Sequence, residues 1–232
     1  MATLIFHSMA GSAYLWTAMM AADEKGVDHA LNSVVFGSDE HLSLHPFGKM
    51  PVMQHGEVIL YETQAITHYI DRAFEGPPLQ PADALGQAEV LRWISLVNAY
   101  VFPVMNRFMK ERLVRPAWGF EVDQEFLQTA RDPLRLQMRL IGEAVADGGY
   151  LVGDRLTLAD AFLLPHLLFF GRTPEGAALL KATPTAAAWL ARMTSRPSYV
   201  GGAMDQAYGA FHSLAGDPAP VWTEDESPIS GR

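Results

Sequence analysis

Not one of the 232 residues is a cysteine. That excludes disulfides, thiolate metal sites and a cysteine nucleophile, so any thiol chemistry here must use a thiol carried by the ligand. Long apolar runs are missing as well: none approaches the roughly eighteen residues that a transmembrane helix needs, and no membrane partner is expected. The opening residues, Met1-Ala-Thr-Leu-Ile-Phe-His, put no basic segment before a long apolar one, so they do not read as a signal peptide. The expectation is a cytoplasmic protein. Positive charge is scarce: 17 Lys and Arg face 26 Asp and Glu, a net charge of −9, and the basic residues are scattered. A nucleic-acid partner, which requires phosphates to be neutralised, is disfavoured. What the chain does have is apolar material. With 49% hydrophobic and 19% charged residues, it can fill one large core or two small ones.

Along the chain, residues 3 to 7 read as a short buried strand. The loop "SMAGS" leads into a helix with Leu15, Ala18, Met19 and Ala22 on one face, stopped by Gly26. "ALNSVV" reads as a second strand, which makes a crossover unit expected to be parallel. A polar loop with a short helix, residues 37 to 45, precedes "MPVMQHGEVILYE", a hairpin turning at Gly56. The next helix has Ile66, Tyr69, Ile70 and Ala73 on one face, with Thr63 expected as its N-cap. "EGPPLQPADA" is a proline-rich connector and the best domain boundary.

Beyond the connector the pattern is helical. Residues 84 to 114 form a long segment that Pro103 should kink. A second long helix is expected over about 121 to 147, ending at Gly148-Gly149. "LTLADAFLLPHLLFF" is apolar almost all round and should be the central buried helix, opened by a capping box between Thr157 and Asp160. "TAAAWLARMTSR" is expected as a fourth helix, and the polar end of the chain as a loosely held tail.

The order βαβ-ββα followed by helices, together with "HPFGKMPVM", "LYETQAITHYI" and "LTLADA" in that order and spacing, resembles the cytosolic glutathione transferases. Within that family "HPFGKMPV" is most similar to phi-like and bacterial members. The resemblance spans residues 3 to 200 or so. It implies an α/β thioredoxin-like N-terminal domain over 1–76, a linker over 77–86, an all-α helical-bundle domain over 87–213 and a tail over 214–232. It also implies a function: conjugation of the glutathione thiolate to electrophilic small molecules, typically as detoxification. Glutathione is then the co-substrate, no metal is required, and the partners are a small hydrophobic electrophile and a second copy of the chain. A specialised isomerase, dehalogenase or ether-cleaving enzyme, or a non-catalytic glutathione carrier, is the alternative.

The same resemblance assigns roles. Pro51 is the family's cis-proline, and the Met50 backbone pairs with the cysteinyl part of glutathione as an added strand. Glu62 takes the γ-glutamyl ammonium, and Thr63, where the family usually has serine, faces the carboxylate at a helix N-terminus. Lys49 meets the glycine carboxylate; its plainer reading is a solvated lysine. Family members that use tyrosine carry it near the end of the first strand, where this chain has Phe6-His7. Ser12, at the start of the first helix, matches the serine position and is expected to donate to the thiolate, with Ser8 as the rival and a helix N-cap as the plainer role. Met9, Tyr14, Asn98, Tyr100, Phe102 and Met105 are candidates for the electrophile pocket. His41 and His45 stand four apart without a third ligand and read as a surface pair rather than a metal site. His166, in the apolar helix, reads as a satisfied core histidine.

Overall fold

Alternating apolar residues and glycine turns build the first half. Strand β1 (Leu4–Ser8), helix α1 (Ala13–Glu24) and strand β2 (His29–Ser33) form the crossover, with β1 and β2 parallel and Leu4 opposite His29. Gly26 carries the chain out of α1 at φ 68°, a conformation a side chain resists. Helix α2 (Asp39–Leu44) leads to the hairpin of β3 (Val52–His55) and β4 (Val58–Tyr61), both antiparallel to their neighbours. The sheet order is β2-β1-β3-β4, and α3 (Thr63–Ala73) lies beside α1 on it. The computed structural model describes residues 3–147 and 149–199. The expected tail, and the Gly148 half of the glycine stop, fall outside the described residues.

The expected kink at Pro103 takes another form. Helix α4 (Ala84–Leu96) passes into a π-helical stretch, Val97–Asn106, then α5 (Arg107–Met109), a second π stretch, Lys110–Val114, and α6 (Arg115–Ala117). Proline lacks an N–H and crowds the carbonyl one turn back, and wider i→i+5 turns absorb the misfit. The single helix expected over 121 to 147 is two, α7 (Gln124–Thr129) and α8 (Arg131–Ala144). Pro133 cannot donate to the Thr129 carbonyl, and the Thr129 hydroxyl turns back onto the Glu125 carbonyl at 3.0 Å. Between α9 (Leu158–Gly171) and α11 (Pro184–Thr194) lies a helix that pattern reading passed over, α10 (Pro174–Ala182). Its signals are an N-cap hydroxyl on Thr173, bonded to the Gly176 N–H at 3.1 Å, and proline in the first turn.

Helix α9 is buried from Leu158 to Phe170 and packs on α1, α4 and the first π stretch. Pro165 sits inside it and leaves the Ala161 carbonyl without its usual donor. The Thr17 hydroxyl of α1 supplies one at 3.1 Å, so the helix continues and is fastened to the sheet half. The connector fastens the halves as well. Leu79 is buried, its N–H donates to Asp71 at 2.7 Å, and its carbonyl accepts from Leu158 at 2.9 Å.

Candidate active site

A cleft of about 1650 Å³ runs between the sheet half and the helical half. Small-molecule pockets are commonly about 300–1,000 Å³, so this one has room for a peptide-sized ligand and a second molecule. Met9, Ser12, Tyr14, Lys49, Met50, Pro51, Glu62, Thr63, Asn98 and Phe102 all line it.

At the hairpin end, the Met50–Pro51 bond is cis and leads into β3. Lys49 is exposed and makes no ion pair within the described residues. Its loop is held from behind by His41, whose Nδ1 accepts from the Gly37 N–H at 3.1 Å. That fixes the proton on Nε2, which donates to the Lys49 carbonyl at 3.0 Å. The expected surface pair is therefore corrected: His41 and His45 are each only 1% exposed, because the loop folds back over them. His45 borders the cleft and accepts from the Phe47 N–H at 3.2 Å. Burial holds its pKa below the usual imidazole range, against the pull of the Glu62 carboxylate 4.0 Å away. Sequence spacing missed both roles; the ring nitrogens answer backbone atoms that only the folded loop brings near.

Thr63 is not the N-cap of α3 but its first residue; Glu62 caps by position, at φ 68° and ψ 112°. It is the one residue with a side chain at positive φ among the described residues. Such a backbone costs on the order of 1–3 kcal/mol and gathers at ligand clamps. No side chain caps α3, so its first-turn N–H groups stay open, and Gln64 and Ala65 border the cleft there. The Thr63 hydroxyl has no hydrogen-bond partner among the described residues, and the Glu62 side chain is 67% exposed. An anion-binding helix end with a carboxylate beside it suits a zwitterionic amino-acid terminus.

Ser12 caps α1, its Oγ accepting from the Leu15 N–H at 3.3 Å. Accepting that bond leaves the hydroxyl proton without a described acceptor, facing the cleft. Ser8 differs. It is fully buried, donates to the Met9 carbonyl at 3.3 Å and does not line the cleft. The Tyr14 proton is also committed, to Asn98 Oδ1 at 2.9 Å, and burial with the nearby Glu62 charge drives its pKa well above the phenol range. Of the pocket candidates, Tyr100 is corrected, being 62% exposed and off the cleft, while Met105 lines a smaller cavity behind it. Tyr100 stands two residues from both Asn98 and Phe102 and so faces the other way. Met105 shares the face of Asn98 at a 3.6-residue period and is carried off it by the wider turns of the first π stretch. Among the described residues no group of three His, Asp or Glu could hold a metal.

Known proteins resemble this chain over most of its length. Residues 6–78 match the family model "Glutathione S-transferase, N-terminal domain", and residues 93–197 match "Glutathione S-transferase, C-terminal domain". Glutathione S-transferase 3 of Zea mays is 29% identical over 86% of this chain and 92% of its own. Two solved structures are similar. Glutathione S-transferase III in apo form has a TM-score of 0.77 and 28% identity, covering 96% of this chain and 100% of that one. Glutathione S-transferase-I bound with lactoylglutathione has a TM-score of 0.78 and 26% identity, covering 90% and 100%. The chain belongs to the cytosolic glutathione transferase superfamily, with its thioredoxin-like and helical halves.

Proposed function

We propose that this transferase binds glutathione along Met50, with its γ-glutamyl end at Glu62 and Thr63 and its glycine end at Lys49, and that Ser12 holds the sulfur as a thiolate for attack on a small hydrophobic electrophile. The observation that carries the reading is the unassigned Ser12 proton, in one cleft with a cis-proline edge and an open helix N-terminus. A free thiol has a pKa of about 8.5; lowering it by about two units takes about 2.7 kcal/mol of preferential stabilisation of the anion. A hydroxyl donor with the N–H groups of the first turn of α1 is of that order. Cytoplasmic detoxification is the proposed setting. A homodimer is proposed too, on the resemblance to the family.

The test is the ultraviolet titration of bound glutathione in Ser12→Ala. The variant should bind glutathione nearly as well, lose about ten- to a thousandfold in turnover, and show a raised thiol pKa. An unchanged thiol pKa would remove Ser12 from the chemistry and leave it a helix cap, worth about 1 kcal/mol of stability.

A further inference from the structure

Behind the cleft lies a smaller cavity of about 50 Å³. Gly11, Asn106 and Met109 border both spaces, so the smaller is a back chamber of the larger. Gly11 is exposed, and a Cβ placed there would meet no atom within 4 Å. Met105, Phe169 and His166 close the far side.

His166 is 3% exposed, and its Nε2 has no hydrogen-bond partner among the described residues. The satisfied core histidine expected from the sequence is thus corrected; its ring packs at steep angles against Tyr14 and Phe102, but its nitrogen is left over. Native structures pair nearly all buried polar atoms, so an imidazole without a hydrogen bond on the wall of a cavity points to what the cavity receives. The Asn106 amide, on the shared wall, makes no side-chain hydrogen bond among the described residues either. Burial pushes the imidazole pKa down to about 3, so the ring is neutral at physiological pH. A neutral imidazole and an amide can hydrogen-bond a guest but cannot neutralise a charged one, whose burial would be costly. Water occupies about 30 Å³ in the liquid, so the chamber suits a group of about two or three heavy atoms.

We propose that this chamber is a selectivity subsite of the cleft, taking a small uncharged hydrogen-bonding substituent of the second substrate, such as an alcohol, with the His166 imidazole and the Asn106 amide as its polar contacts. The proposal rests on the cleft receiving a second, hydrophobic substrate. Met105, Met109 and Phe169 would hold the carbon stem. An analogue with methyl in place of hydroxyl would leave both polar groups unpaired, and that loss is what makes such a site selective.

The test uses the full chain labelled with ¹⁵N-histidine and two probes of nearly one shape, benzyl alcohol and ethylbenzene. His166→Phe identifies the resonance, or His166→Gln if the first does not fold. Benzyl alcohol should shift the His166 ring nitrogens saturably and bind about tenfold tighter than ethylbenzene. Asn106→Leu, which removes the amide from the shared wall and keeps a side chain of similar size, should abolish the preference for benzyl alcohol. No response to benzyl alcohol, an equal response to both probes, or a preference unchanged in Asn106→Leu would overturn the proposal. The readout needs no turnover, so its failure is separable from that of the proposed chemistry. Conjugation without the shift refutes the subsite alone; the shift without conjugation supports the subsite and counts against the chemistry.

Discussion

Replacing Asp160 with alanine should cost far more than a helix cap. The carboxylate is fully buried and accepts four hydrogen bonds. Oδ2 takes the Thr157 N–H at 2.9 Å and the Thr157 hydroxyl at 3.0 Å, closing the capping box. Oδ1 takes the Leu151 N–H and the Trp189 indole N–H, both at 2.9 Å, and so joins α9 to the loop before it and to α11. A cap alone is worth about 0.5–2 kcal/mol. Alanine would also orphan the Leu151 and Trp189 donors, at about 1–3 kcal/mol each. Relief of the buried charge offsets part of this, which leaves an expected loss of about 3–5 kcal/mol, a large share of the roughly 5–15 kcal/mol that holds a domain folded. Asparagine should be nearly as damaging, because its NH₂ must face two donors. Trp189→Phe, which removes one donor and orphans none but leaves a cavity at a fully buried site, should cost about 2–3 kcal/mol and still fold. Urea unfolding of the three variants measures this. A loss below about 2 kcal/mol for Asp160→Ala, or full recovery with asparagine, would refute the four-donor account and leave only the cap.

Three other outcomes are expected. Thr63→Ala should weaken glutathione binding by about 1–3 kcal/mol in calorimetry, since a charged carboxylate loses a donor; unchanged affinity in both Thr63→Ala and Glu62→Gln would remove that anchor. Burial pushes the Glu24 carboxyl up, but hydrogen bonds from Arg196 (2.6 and 2.7 Å) and Ser198, with the guanidinium charge, hold it below its ordinary value. A depressed carboxylate stabilises the fold above its ordinary range and loses that contribution as pH falls through its folded value. The stability gap between wild type and Arg196→Met should therefore be present at neutral pH and narrow in acid; a gap constant down to about pH 3 would contradict the pairing. Light scattering at micromolar concentration should give twice the mass of one chain, and a single-chain mass would exclude the dimer.

The sequence by itself determined the order of elements in the first half and the place of the central helix. Those signals are local: Gly26 and Gly56 turn the chain, Ser12 and Asp160 sit where caps belong, and the apolar period survives in any environment. It also brought Lys49, Met50, Pro51, Glu62 and Thr63 together, because they flank one hairpin and its following helix. What it could not determine were the outcomes set by distant atoms. Pro165 remains inside a helix because Thr17, far away in sequence, supplies a donor to the Ala161 carbonyl. Met105 lies behind the cleft rather than on it because the register around Pro103 widens to i→i+5, which no composition reveals. His41, His45 and His166 have the same side chain in unlike surroundings. One is clamped between backbone atoms, one lies beside a carboxylate, and one has a nitrogen left over. Packing decides which, because the free energy of a buried polar group depends on the partners that the rest of the chain delivers to it.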